Sequence, residues 1–298
     1  MSTAITLSKR PSPIAWIRDH IGQRLPWLSL LALLCLTSAC SSVRLVYGHL
    51  DWWLDHKINN YLDLDGAQED LLSQRVDEFH RWHRQTQLPR YADFFEEVAG
   101  QVDEISGNPK MLEELEQHAD ALWENSAVML VDLILPLVLE MDDSQIDQLA
   151  ENIREEREKS LKKWEKSQRK REKQFRKESE RWLGDLTDQQ EALIDRQVAA
   201  FDFDPKVRDA QRQLWAKTFL GTLRSKPPGY EKTLRELAIN PQTLWPPEYQ
   251  KMHDKLRAQA TTLAEEIAGS ATPEQLAHLK TTLLKYAADF RILAADTN

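Results

Sequence analysis

Between Lys159 and Lys177 the chain carries ten Lys/Arg against Glu165 and Glu172, a net of +8 in nineteen residues. Trp164 and Phe175 lie within that run. Cations interleaved with aromatic rings can draw in an anionic partner at long range and hold its apolar parts on contact. The residues suited to this are Arg157, Lys163, Trp164, Lys166, Lys170, Arg171 and Phe175. The competing reading is a solvated helix, its charge offset by Glu151, Glu155, Glu156, Glu178 and Glu180.

Other chemistry is thinner. His80 and His83, near Asp77 and Glu78, invite a metal site, but residues three apart on a helix are neighbours by default. No second cluster stands at ligand spacing, so no metal and no cofactor is expected. Tyr91, with Pro89 and Arg90, is expected to pack beneath a helix-to-helix corner formed with His83 and Arg84. Asp51-Trp52-Trp53 fits either core packing or a membrane interface, a zone tryptophan favours. No Gly-rich phosphate loop, nucleophile elbow or HExxH is present, and carboxylate pairs say little in a chain with 48 Asp and Glu. The expectation is a binding protein and not an enzyme.

The elements that position these residues are helices. Nine glycines in 298 residues, with abundant Glu, Gln, Leu, Ala and Arg, favour an all-α chain, and ten tryptophans call for a core. No segment alternates apolar and polar residues in the way a half-buried strand would. The fold class expected is an elongated multi-helix bundle with one long charged helix over about 143–183, roughly 60 Å at 1.5 Å per residue. On it, Ile146, Leu149, Ile153, Leu161, Trp164, Phe175 and Trp182 share an arc of roughly 120°. A second copy of the chain would complete so sparse a stripe, which leaves a homo-oligomer open. Helices are also expected over 47–62, 65–85 and up to about 105, with Leu88-Pro89 breaking and restarting the chain. Further helices follow over 110–140, 187–201, 205–224, 248–268 and 273–293. AVMLVDLILPLVLE (127–140) is apolar nearly all round, which marks a helix buried by its neighbours; it is too short to span a membrane, and Asp132 would be costly there.

Four of these helix starts repeat one grammar. Asp65–Gln68, Asp142–Gln145, Thr187–Gln190 and Thr272–Gln275 each place a capping residue three positions before a glutamine. In such a box the cap side chain accepts from an unpaired backbone N–H, and the glutamine reaches back to the cap's own N–H. Pro273, at a first helical position, gives up an N–H that has no helical partner anyway.

The first forty residues are not fold. A positive leader precedes LPWLSLLALLCLTSAC (25–40), whose uncharged run is shorter than the ~20 residues a spanning helix needs. Leu36-Thr37-Ser38-Ala39-Cys40 resembles a bacterial lipobox. That resemblance implies cleavage after Ala39 and acylation of Cys40, and three acyl chains anchor firmly where one is marginal. Cys35 leaves with the leader, so the mature chain has no free thiol. Residues 1–39 hold four Lys/Arg and one Asp, and their loss takes the net charge from −9 to −12. So acidic a chain disfavours nucleic acid as a partner. With Ser41 and Ser42 after the cysteine, and no Asp, the expectation is the periplasmic face of the outer membrane. The chain then divides into a 1–39 signal peptide, a 40–46 lipidated tether and a 47–298 all-helical periplasmic domain, with a sub-boundary near 184–187 and proline-rich connections over 225–249.

YGHLDWWLDHKINNYLDLD (47–65), RWHRQTQLPRYADF (81–94) and ESERWLGDLTDQQ (178–190) resemble a family of Gram-negative lipoproteins defined by a domain of unknown function. LTDQQ (186–190), and more weakly ATPEQ (271–275), is similar to the LTxxQ motif of Spy/CpxP-type periplasmic chaperones, small helical proteins that bind unfolded clients. Taken together, these readings point to a lipid-anchored periplasmic binding protein, chaperone-like or a scaffold for flexible or anionic envelope partners. The alternative is a dedicated envelope-assembly or structural lipoprotein with a single protein partner.

Overall fold

The computed structural model of the chain describes residues 42–105, 108–165 and 168–296, with the side chains of Ser42, Pro109 and residues 163–171 outside that description. In order, the helices are α1 (Ser42–Tyr47), α2 (Leu50–Leu62), α3 (Gly66–Trp82), α4 (Leu88–Ile105), α5 (Pro109–Leu139), α6 (Asp143–Glu165), α7 (Gln168–Leu183), α8 (Asp188–Ala199), α9 (Pro205–Ser225), α10 (Tyr230–Ile239), α11 (Pro247–Gly269) and α12 (Pro273–Ala295). A π-helical turn over His83–Gln87 joins α3 to α4, and a short 3₁₀ turn over Pro241–Leu244 precedes α11. Among the described residues there is no strand, and the fold is an all-α multi-helix bundle.

Each helix forms because its local chemistry and its apolar face agree. In α3, Asp65 accepts from the backbone N–H groups of Ala67 and Gln68, while Leu72, Val76 and Phe79 recur along the buried side. The main core gathers Leu72 and Val76 with Leu137 and Val138 of α5, Ile146 and Leu149 of α6, Phe219 and Leu223 of α9, and Leu234 and Leu237 of α10. Burying such a side chain is worth about 1.5–3 kcal/mol. An exposed ion pair such as Arg235–Asp132, between α10 and α5, is worth about 0–1 kcal/mol. Apolar packing therefore holds the bundle, and the ion pairs orient its parts.

Helices α4 and α12 form the most extensive pairing. The buried Ala92, Ala99 and Ala287 are small enough to let their backbones approach, and Val98, Val102 and Leu283 fill a second core beside them. Val43–Asn298 form the larger compact unit of the chain. Gly184 lies within the larger unit and ends α7 at a φ of 75°, a left-handed conformation that only glycine adopts cheaply; a Cβ there would stand 3.4 Å from the His278 ring.

Four expectations need correcting. Leu88-Pro89 does not break the chain. The π-helical turn, closed by the Leu88 N–H donating to the His83 carbonyl, absorbs the missing donor of Pro89, and helical structure runs on into α4. No corner forms at Pro89, and Tyr91 packs edge-on against His83 inside the bundle. Within the 40–46 segment expected as a tether, the described residues, from Ser42 on, are helical. The apolar run of α5 is buried only on one side. Leu133, Leu137 and Val138 enter the core, but Ala127 to Val131 are only partly covered. Helix Lys110–Leu139 has the length and composition to cross a membrane, the one such helix among the described residues. Asp132 on it is held by Arg235 through two hydrogen bonds at 2.6 and 2.9 Å, which ties it into the bundle.

Candidate functional site

The four capping boxes close as reciprocal pairs of hydrogen bonds. The Asp142 N–H donates to Gln145 Oε1 at 3.0 Å and the Gln145 N–H returns to Asp142 Oδ1 at 2.8 Å. The same exchange occurs at Asp65/Gln68, Thr187/Gln190 and Thr272/Gln275. The glutamines then do something no single box reveals: they pair with each other. Gln190 Nε2 donates to Gln275 Oε1 at 2.9 Å, and Gln275 Nε2 donates back to Gln190 Oε1 at 2.8 Å. The spare amide hydrogens reach the Ser270 carbonyl at 3.2 Å and the Asp185 carbonyl at 2.8 Å. Gln68 and Gln145 form a second amide pair, with Gln145 Nε2 also donating to the Asp63 carbonyl at 3.0 Å. One clasp ties the starts of α3 and α6; the other ties the starts of α8 and α12.

Among the described residues, two cavities lie beside helices that the Gln68–Gln145 clasp starts. The first is an arginine-mouthed cleft of about 450 Å³ between α6, α9 and α10, lined mainly by apolar side chains including Tyr61, Leu149, Ile153, Trp215, Phe219 and Leu237. Arg157 and Arg212 stand in its wall, and with Arg208 and Asp209 they also line the shallow recess adjoining it. Arg157 forks onto Asp209, Nε and Nη2 donating to the two carboxylate oxygens at 2.9 and 2.8 Å. That hydrogen bonding from Arg157 holds the Asp209 carboxyl below the usual carboxylate range. Arg208 lies over the Phe203 ring at 5.8 Å. Neither Arg208 nor Arg212 has a carboxylate partner among the described residues. Burial raises the Tyr61 phenol, with nearby Glu156 adding to the rise and Arg212 and Lys159 opposing it.

The second is an apolar groove of about 660 Å³ between α2, α3, α4 and α5. Phe79, Phe94, Phe95 and Leu122 line it, and Trp53 and Trp123 stand at its edge, 49% and 74% exposed. Its polar groups are engaged with one another. Tyr91 and Ser126 share a hydrogen bond of 2.6 Å, and the Tyr47 hydroxyl meets His83 Nδ1 at 2.8 Å. Burial, with a smaller contribution from His80, pulls the His83 pKa down to about 4, so the ring is neutral at pH 7. His80 and His83 sit against Tyr47 and Phe79 as part of an aromatic cluster, and no group of acidic, His or Cys side chains among the described residues is placed to hold a metal.

The basic–aromatic stripe is placed in part. The side chains of Lys163, Trp164, Lys166, Lys170 and Arg171 lie outside the described residues, as does Cys40. Arg157 faces α9 and is engaged with Asp209. Phe175 packs edge-on against Phe201, 38% exposed, and Arg176 pairs with Glu191 and Asp195 of α8. The sequence reading missed Arg208, Arg212 and the whole apolar groove. A weak signal existed for the arginines: R-D-A-Q-R (208–212) places both on one helix face, four residues apart.

The described residues form an all-α bundle with open cavities lined mainly by apolar side chains. By sequence the chain belongs to the family of unknown function DUF6279, whose profile matches residues 60–250. No curated protein and no solved structure matches it.

Proposed function

We propose that this chain is a membrane-tethered binding protein of the cell envelope, acylated at Cys40 and facing the periplasm, that holds apolar segments of flexible protein partners without turning them over. The observation that carries the reading is the tryptophan-edged groove. A tryptophan buries roughly 150–250 Å² when covered, so leaving Trp123 mostly in water forgoes about 3 kcal/mol of burial at ~25 cal/mol per Å². Its groove is lined by further apolar side chains, and large contiguous apolar surface of that kind marks an interaction site. The LTxxQ likeness and the lipobox support the compartment and the chaperone-like character.

The test anchors full-length protein in lipid nanodiscs and adds it to a thermally unfolding client enzyme, with light scattering as the readout. Suppression at near-stoichiometric ratios is expected, weakened in Trp123→Ala, a change at an exposed position that leaves the fold intact by circular dichroism. No suppression by the wild-type chain, or equal suppression by W123A, overturns the reading.

A further inference from the structure

The arginine-mouthed cleft is independent of the groove and asks for a different ligand. Its wall is hydrocarbon and aromatic: Leu149 and Ile153 from α6, Trp215 and Phe219 from α9, Leu237 from α10 and Tyr61 from α2. The polar atom of Trp215 is already used, its indole N–H donating to the Leu237 carbonyl at 2.8 Å, so the residue offers the cavity a ring and no unmet donor. Gln211 supplies the one uncharged amide in the wall. A ligand body rich in hydroxyls or peptide groups would lose its hydrogen bonds to water here and regain few, and each group left unpaired weakens binding. A hydrocarbon chain loses none. The volume, about 450 Å³, lies inside the range of roughly 300–1,000 Å³ found for small-ligand sites.

The recess adjoining the cleft, which shares Arg157 and Arg212 with its wall, has the opposite character: Arg157, Arg208 and Arg212 line it around a single carboxylate, Asp209. That carboxylate is taken up by the fork from Arg157 and by Gln213 Nε2, which donates to Oδ2 at 2.7 Å. Nearby, Lys159 is neutralised by Glu155 and Glu156. Among the described residues neither Arg208 nor Arg212 forms an ion pair, and Arg212 shares only the field of the already engaged Asp209. Arg212 stands in the wall of the apolar cavity and Arg208 in the recess adjoining it, in a chain whose net charge is −9. Guanidinium groups favour planar anions that accept two parallel N–H bonds.

We infer that this cleft binds a long-chain carboxylate of the fatty-acid type, its hydrocarbon chain among Leu149, Ile153, Trp215 and Phe219 and its carboxylate at Arg208 and Arg212. Arg157 keeps its fork on Asp209 and acts as a positioning residue for the mouth.

Native mass spectrometry of the full-length protein, released from mild detergent and titrated with oleate, tests this. A saturable one-to-one oleate adduct is expected. Charge-assisted hydrogen bonds are worth about 1.5–3 kcal/mol, so Arg208→Gln with Arg212→Gln should weaken the adduct at least tenfold. Oleyl alcohol, with a similar chain and no charge, should bind as weakly to wild type as oleate does to that variant. Ala238→Trp, which fills the cavity from α10, should abolish the adduct by a route that spares the arginines. W123A should leave oleate binding unchanged, which separates failure here from failure at the groove. Equal binding of oleate and oleyl alcohol, or oleate binding untouched by both R208Q/R212Q and A238W, overturns the inference. So does an adduct with phosphatidylglycerol but none with oleate, which would assign the mouth to a lipid phosphate.

Discussion

Replacing Gln190 by leucine conserves most of the side-chain volume and removes one half of the buried amide clasp. Gln190 and Gln275 are 1% and 4% exposed. In the variant, Gln275 keeps its acceptor role toward the Thr272 N–H and its donor role toward the Asp185 carbonyl. It loses the two bonds it exchanged with Gln190. An unmet buried polar group costs about 1–3 kcal/mol, and loss of the reach-back to the Thr187 N–H adds a few tenths, because Thr187 is exposed and its N–H can turn to solvent. The expected destabilisation is about 2–3 kcal/mol, or a fall in Tm of roughly 4–12 °C for a chain of this size. Gln275→Leu should cost a similar amount. The double variant should cost less than the sum by about 1–2 kcal/mol, since removing both partners leaves neither unpaired. Thermal and urea unfolding followed by circular dichroism, with tryptophan fluorescence checking that the transitions coincide, measures the cycle. Strict additivity would refute the clasp as a coupled unit, and single variants within 0.5 kcal/mol of wild type would refute its burial.

Acid should loosen the π-helical turn. The pKa of His83 is depressed from 6.5 to about 4 in the folded chain, so between those values the unfolded state binds more protons. Its contribution is complete above about pH 6.5 and is lost as pH falls toward 4, reaching about 3 kcal/mol at most; urea midpoints measured across that window should fall for wild type and stay flatter for His83→Gln. Gly184→Ala puts a Cβ into a left-handed conformation beside the His278 ring, and should cost about 1–2 kcal/mol in the same unfolding assay. Leu137→Ala empties a fully buried site in the main core and should cost about 2–5 kcal/mol, far more than the loss of any exposed ion pair such as Arg235→Gln.

What was legible in the sequence follows from how local the chemistry is. A capping box closes over three residues, so Thr187 and Gln190 announced it by spacing alone. The pairing of Gln190 with Gln275 spans 85 residues, and nothing in either box says which other box it will meet. The orientation of Arg157 on the helix was readable; its partner was not, because Asp209 is one of 48 acidic residues. The run over 127–140 misled for a related reason. Apolar character all round a helix states that burial is favourable, but whether neighbours cover every side is decided by helices distant in sequence. Here α3 and α10 cover one flank, and the other opens onto the groove. At Pro89 the breaker rule assumed that an α-helical bond had to be lost, and a single wide turn removed that requirement.

The two cavities are not structurally independent of the clasps, and this gives a prediction that separates scaffold from site. Leu149 and Ile153, in the wall of the arginine-mouthed cleft, stand one and two turns beyond Gln145 on α6. Phe79, in the wall of the groove, lies on α3, which starts at the box containing Gln68. The clasp between Gln68 and Gln145 therefore sets the start of one helix wall of each cavity. The clasp between Gln190 and Gln275 fixes α8 and α12, neither of which lines either cavity. Gln145→Leu should thus weaken both oleate binding and client holding at temperatures where the chain remains folded. Gln190→Leu, although the more destabilising change because its pair is more deeply buried, should leave both nearly intact under the same conditions. Losses that track stability in both variants would mean that the clasps act only through global unfolding. Losses confined to Gln145→Leu would show that the first clasp positions the binding walls themselves.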